Sequence, residues 1–119
     1  MTISKNDLLV VTTESVAGRP TLEVLGLVRG STVRAKHIGS DIVASLRNLV
    51  GGEVKEYAQL LAGAREQALD RMIDQAISLG ADAVVASRMQ TSTVQQSASE
   101  VVWYGTAVRL APRGDGSTE

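Results

Sequence analysis

The chain has 119 residues, of which 12 are basic and 13 acidic, so its net charge is −1, and it contains no cysteine. This length fits one domain, and the near-neutral charge leaves no basic excess for binding nucleic-acid phosphates. The missing cysteine excludes disulfides, thiolate metal sites and a cysteine nucleophile.

The start of the chain lacks the basic residues and the apolar run of a signal peptide. No apolar stretch approaches the ~18 residues that span a bilayer. We therefore expect a cytoplasmic protein that binds neither a membrane nor nucleic acid.

The first third of the chain predicts three strands. A β-branched run over 8–13 is typical of a strand, and the apolar segment 21–28 predicts a second strand that ends at Arg29-Gly30. Residues 31–36 alternate small or apolar with basic side chains, which indicates a third strand at a sheet edge.

The hydrophobic period then changes from that of a strand to that of a helix. Apolar side chains recur every three or four residues over 41–50, with Ser40 or Asp41 available as a cap and Gly51-Gly52 available to end the segment. We expect a short helix there.

The strongest local pattern predicts a long helix over 53–79, ended by Gly80. At ~1.5 Å per residue it would be roughly 35–40 Å long. A surface helix needs an apolar stripe of ~100°, and this one has nearly twice that width. We therefore expect one face to cover its own sheet and the other to contact another subunit. The two stripes are Tyr57, Leu61, Ala64, Ala68 and Met72, and Leu69, Ile73 and Ile77.

Two β-rich segments, 83–94 and 101–110, are joined by the polar link 95–100 and predict a hairpin. The pattern as a whole predicts one α+β domain over 1–110, organised around the long helix. Residues 111–119 are expected to form a disordered tail.

His37 is the only histidine and therefore the one conceivable soft metal ligand. Metal sites need several ligands at set spacing, so we interpret His37 as a surface or interface residue and predict no metal site within one chain. Glu66, Asp70 and Asp74 share one helix face, and we interpret them as a solvated ridge paired with nearby arginines rather than as a cation site.

Gly51 and Gly52 precede the long helix, where backbone amides attract anions, although no P-loop or dinucleotide motif accompanies them. Arg65 falls on the apolar side of the helical wheel and would need a partner, for which Asp41 or Asp82 is available. We interpret the glycines as a turn and Arg65 as structurally paired. The four residues Asp41, Gly51, Gly52 and Arg65 remain the candidates for a small-ligand site.

Several segments form an ordered set of motifs: Thr12-Thr13, Glu23-Val24-Leu25-Gly26-Leu27-Val28, residues 41–52, Tyr57, Ala64-Arg65-Glu66-Gln67-Ala68 with Met72, residues 79–85, and Gly105-Thr106-Ala107-Val108. Together they resemble the YbjQ-like family, a largely uncharacterised family often labelled heavy-metal-binding, over about residues 8–110. The resemblance implies a dodecin-like α+β subunit, with a long helix packed on an antiparallel sheet, and a ring-shaped homopentamer. Such a ring could gather one His37 from each subunit around an axis.

We therefore expect a non-enzymatic homo-oligomer, with a small ligand or metal bound at subunit boundaries and no resident cofactor. The alternative is an enzyme whose composite site uses Arg65, Asp41 or His37 from neighbouring subunits. No serine-nucleophile motif is present.

Overall fold

The computed structural model describes residues 3–5, 7–35, 52–95 and 98–113. One helix packs on one face of a five-stranded sheet, which confirms the α+β class. The elements in chain order are β1 (Ile3–Lys5), β2 (Leu8–Val10), β3 (Thr21–Ala35), α1 (Gly52–Ser78), β4 (Ala83–Gln95) and β5 (Ala98–Leu110).

The strand order in the sheet is β1-β2-β4-β5-β3. Three of the four strand pairs are antiparallel, but β2 runs parallel to β4, so the sheet is mixed and not purely antiparallel. The β4–β5 hairpin is confirmed, although β5 already begins at Ala98, within the predicted link. The short strand β1 was not predicted from the sequence.

The two strands predicted over 21–28 and 31–36 are one continuous strand, β3, and that prediction was wrong. Arg29-Gly30 does not end a strand. Gly30 lies where α1 crosses β3, and a Cβ atom added to it would collide with the Ala68 carbonyl oxygen and the Met72 amide nitrogen. Gly30 therefore marks a close approach of two backbones, for which glycine is suited, and not a turn.

Helix α1 confirms the predicted long helix, and Gly80 follows it with a positive φ of 81°, as expected for a C-terminal glycine cap. Its two apolar stripes do not face different partners, however. Ala64, Ala68 and Met72 of the first stripe and Leu69 and Ile73 of the second are all buried within this one chain. The prediction that the second stripe contacts another subunit was therefore wrong for this part of the helix.

Both stripes are buried because α1 packs against β3 and β5 together. The main core joins α1 to side chains from four strands, including Leu8, Val28, Val84 and Ala107. Thr32 on β3 donates its hydroxyl proton to the Ala64 carbonyl at 2.8 Å, which adds a polar link between helix and sheet.

Among the described residues, those at 11–20 cover one end of the opposite sheet face. A second core of Ala83, Val85, Val108 and Leu110 lies there against Val11 and Val16. The strand predicted over 8–13 stops at Val10, and the residues after it form this covering segment.

The short helix predicted over 41–50 lies outside the described residues, as does most of the predicted tail. Ala111 is described, and its amide donates to the Pro20 carbonyl at 2.8 Å. Helix α1, which supplies all the helical residues in the described part of the chain, lacks the long apolar stretch needed to cross a membrane.

Candidate functional site

The small-ligand candidates chosen from the sequence do not form a site in the described residues. Asp41, Gly51 and His37 lie outside them. Gly52 is the first residue of α1 and Arg65 lies 13 positions further along the same helix, about 20 Å away at ~1.5 Å per residue. One small ligand could not contact both within one chain.

Arg65 is exposed, so its predicted place on the apolar side of the helix was wrong. The proposed partner Asp82 is used elsewhere, since its carboxylate accepts the Leu110 amide proton at 2.9 Å. That bond joins the α1–β4 turn to the end of β5. Neither residue therefore requires an ion pair with the other.

No cluster of three or more His, Cys, Asp or Glu side chains occurs among the described residues. Glu66, Asp70 and Asp74 are exposed on α1, as expected for a solvated ridge. Within the described chain, a soft-metal site therefore has no set of side chains on which to form.

The strongest candidate for a binding surface is the part of the sheet face opposite α1 that residues 11–20 do not cover. Its side chains come from three strands, and we call it the open face. Three apolar side chains of β3 lie on it with more than half of their surface exposed, Val24 (65%), Leu27 (68%) and Val33 (58%). The bulge between Val24 and Gly26 places Val24 on this face although it is three positions from Leu27. The strand registers place the following neighbours on the same face: Arg29, Ser31, Arg88, Gln90, Glu100, Val102, Tyr104 and Thr106.

The open face was missed in the sequence because β3 was read as two strands. Across an uninterrupted strand, alternate residues share a face. Val28, Gly30 and Thr32 are buried under α1, so Leu27, Arg29, Ser31 and Val33 must lie on the other side. Continuing the alternation of side chains past Gly30 would have predicted that these four residues share one face.

The edge of β3 that faces away from β5 is partly occupied by the helix. The Arg29 amide donates to Gln75 Oε1 at 2.7 Å, and Arg71 Nη1 donates to the Ser31 carbonyl at 2.6 Å. Backbone groups that an added strand would use are therefore already bonded at the middle of β3.

One row across the open face is basic. Arg29 on β3 and Arg88 on β4 both pair in register with Tyr104 on β5. Arg88 Nη1 donates to the carbonyls of Thr12 at 3.0 Å and Ser87 at 2.8 Å, so its guanidinium group lies towards the segment that follows β2.

A cleft of about 620 Å³ adjoins the covered end of the same face. Leu9, Val11 and Val16 form its apolar part, and Arg113 lies at its rim. Its hydroxyl groups, from Thr13 and Ser15, are exposed. The cleft thus extends the apolar character of the open face towards residues 11–20.

Comparison with known proteins matches the chain to one protein family. A family model described as "Putative heavy-metal-binding" (YbjQ_1) matches residues 8–111. A UPF0145 protein of Halorubrum lacusprofundi is 56% identical over 98 residues, covering 82% of this chain and 94% of that protein. The corresponding protein of Archaeoglobus fulgidus is 53% identical over 106 residues, covering 89% and 98%.

A relative from a bacterium, the UPF0145 protein CD630_17110 of Clostridioides difficile, is 53% identical over 103 residues, covering 87% of this chain and 92% of that protein. A crystal structure of a protein with unknown function from the DUF74 family of Pediococcus pentosaceus has a TM-score of 0.58 at 15% identity, covering 85% and 95% of the two chains. That likeness establishes the fold alone. From the family match and the sequence relatives together, the chain belongs to the YbjQ_1 family.

Proposed function

We propose that the chain is a non-enzymatic subunit of a homo-oligomer, in which copies meet through the open face and a small ligand binds at the boundary between them. The observation that carries the proposal is the exposed row of Val24, Leu27 and Val33, in which Arg29 and Ser31 lie between the last two. Large exposed apolar side chains that lie together on one sheet face are typical of an interaction surface.

Burial of this row in an interface would be energetically favourable. Removing a Val or Leu side chain from water contributes about 1.5–3 kcal/mol. The row runs from Val24 to Val33 within β3, about 30 Å at ~3.3 Å per residue, so it offers a long contact. A second copy is the partner we propose because the family resemblance implies a ring-shaped homopentamer.

A ring has consequences for the interface. In a closed ring each copy presents two different surfaces to its neighbours, so the open face of one copy would meet another part of the next. This arrangement would also bring equivalent residues together around an axis. A metal site of the kind that the family description suggests could form in that way, and the described part of one chain contains no cluster of metal ligands.

Leu27→Asp tests the proposal against a matched control, Leu79→Asp. Both residues are exposed leucines, 68% and 46% respectively, but Leu79 follows α1 and lies off the open face. We expect wild type and Leu79→Asp to show a mass of several 12.5 kDa subunits by light scattering. Leu27→Asp should fall to the mass of one folded subunit, because its charge would be buried in the interface.

Circular dichroism on the same samples establishes that the fold is retained. A stable wild-type monomer at micromolar concentration would contradict the assembly. A Leu27→Asp variant with wild-type mass would show that copies meet elsewhere.

A further inference from the structure

We propose that the outer edge of β4 pairs with the same edge of a second copy, around a two-fold axis, and so joins two of the proposed rings. This edge, which we call the free edge, is the side of residues 89–93 that faces away from β5. The inference rests on the proposed assembly through the open face. It adds a second kind of contact, made by backbone groups and not by apolar side chains.

The direction of the β4 backbone groups follows from a bond at the start of this segment. The Ser87 amide donates to the Val11 carbonyl at 3.1 Å, on the side of the sheet that carries β2. In a strand, the backbone groups of successive residues point to opposite edges. Those of Met89, Thr91 and Thr93 therefore point the same way as those of Ser87, away from β5.

The bonds between α1 and β3 give the same result independently. The Arg29 amide donates to Gln75 Oε1 at 2.7 Å, at the outer edge of β3, so it is not directed at β5. Tyr104, which pairs with Arg29, must then bond towards β4, where its partner is Arg88. Arg88 uses its backbone groups for β5, and those of the next residue, Met89, point outwards.

No other described strand pairs with the free edge. β2 pairs with β4 at Ala83 and Val84, and the segment that follows β2 bonds as far as Ser87. The side chains of residues 88–92 are exposed. Residues 89–95 also contain no charged residue and no proline, the residues that natural sheet edges use against pairing. The free edge therefore lacks the protection that α1 gives to β3.

A second copy is the partner we propose because the free edge is complementary to itself. Its three outward-pointing residues are evenly spaced about Thr91. Antiparallel copies would thus pair Thr91 with its equivalent, and Met89 with Thr93 in both directions. Each pair exchanges two backbone hydrogen bonds, about six in all. No like charges meet, because residues 89–93 are uncharged.

So short an edge is insufficient to hold two separate subunits together. Each hydrogen bond contributes little net stability, because both groups are bonded to water before they pair. Association also costs translational and rotational freedom. In a ring, several free edges face the second ring at once, so the first pairing raises the effective concentration of the others. We therefore expect rings to pair and single subunits to remain separate.

Thr91→Pro tests the proposal against Thr91→Val. Proline removes the outward-pointing amide of residue 91, whereas valine keeps the amide and the preference for a strand. The bonds between β4 and β5 do not use this amide, so circular dichroism should show a retained fold. We expect Thr91→Pro to halve the wild-type mass in light scattering and Thr91→Val to leave it unchanged.

Amide hydrogen exchange tests the pairing in the wild-type chain itself. We expect the amides of Met89, Thr91 and Thr93 to exchange about tenfold or more slowly in the wild-type assembly than in Leu27→Asp, which should be a single subunit. The amide of Gln90 bonds to β5 and should be protected in both proteins.

Three outcomes overturn the proposal. A wild-type mass for Thr91→Pro shows that the free edge joins no copies. Slow exchange of the three amides in monomeric Leu27→Asp shows that the chain covers this edge itself. Fast exchange in the wild-type assembly leaves the edge to a partner other than a second copy. The two proposals fail in different ways, because a wild-type mass for Leu27→Asp contradicts contact through the open face, whereas a wild-type mass for Thr91→Pro contradicts only the edge pairing.

Discussion

Gly30 determines how closely α1 can approach the sheet. A methyl group at this position would meet helix backbone, including the Arg71 carbonyl carbon at 2.8 Å, and backbone cannot rotate away as a side chain can. We expect Gly30→Ala to lower the free energy of unfolding by about 3 kcal/mol, the upper part of the usual range for overpacking. Urea denaturation followed by circular dichroism measures this change.

Gly63→Ala is the matched control for that substitution. Gly63 lies in α1, is exposed, and has no atom within 4 Å of an added Cβ. Alanine in a helix interior is more favourable than glycine by roughly 0.5–1 kcal/mol, so this variant should gain stability. Equal effects of the two substitutions would show that the close contact at Gly30 is absent.

Ala86 shows how a single backbone conformation positions the basic row. It has a φ of 53° within the β4 bulge, a region that non-glycine residues rarely adopt. Its amide donates to the Thr13 carbonyl at 2.7 Å, so the covering segment 11–20 is attached at this point. The same bulge brings Arg88 into register with Tyr104.

At the scale of the elements, β3 combines a long exposed edge with helix side chains that bond to it. Arg71 and Gln75 lie one helical turn apart and bond to Ser31 and Arg29. We interpret these bonds as protection against unwanted strand pairing, which would otherwise compete with assembly through the open face.

Arg71→Ala/Gln75→Ala should therefore promote β-sheet aggregation, because it frees backbone groups on an edge that carries apolar side chains. We expect a shorter lag in thioflavin T fluorescence and a loss of stability of about 1–3 kcal/mol for two hydrogen bonds. Arg65→Ala/Glu66→Ala, two exposed changes on the same helix, should leave the lag as in wild type. Equal lag times for both variants would argue against a protective role.

The sequence predicted the elements that depend on local pattern. Helix α1 and the β4–β5 hairpin follow from apolar period and from turn residues, and both are confirmed. The continuity of β3 could not be predicted in this way, because Gly30 has the same local signature whether it ends a strand or lies beneath a helix. Only the position of α1 decides between these alternatives.

The candidate site was less predictable for a related reason. Arg65 looked buried because a helical wheel shows which side chains share a face, but not how much of the helix the sheet will cover. The open face depends on strand order and register, which bring Arg29, Tyr104 and Arg88 together from three distant segments. Pairing of this kind is a property of the folded sheet and has no local signal.

At the scale of the whole molecule, two apolar surfaces have different roles. The first lies between α1 and the sheet and is already covered in one chain, where Ile73 is 1% exposed. The second is the open face, which remains exposed. The wide apolar arc of α1 is therefore evidence for a core that wraps the helix, and the argument for assembly now depends on β3.

Ile73→Asp and Leu27→Asp distinguish these surfaces. An unpaired carboxylate at Ile73 would be buried within the chain at a cost of several kcal/mol, comparable to the 5–15 kcal/mol total stability of a typical domain. We expect Ile73→Asp to lose its cooperative unfolding transition in circular dichroism, whereas Leu27→Asp keeps that transition and loses only subunit mass in light scattering. A folded but monomeric Ile73→Asp variant would instead show that copies meet through α1.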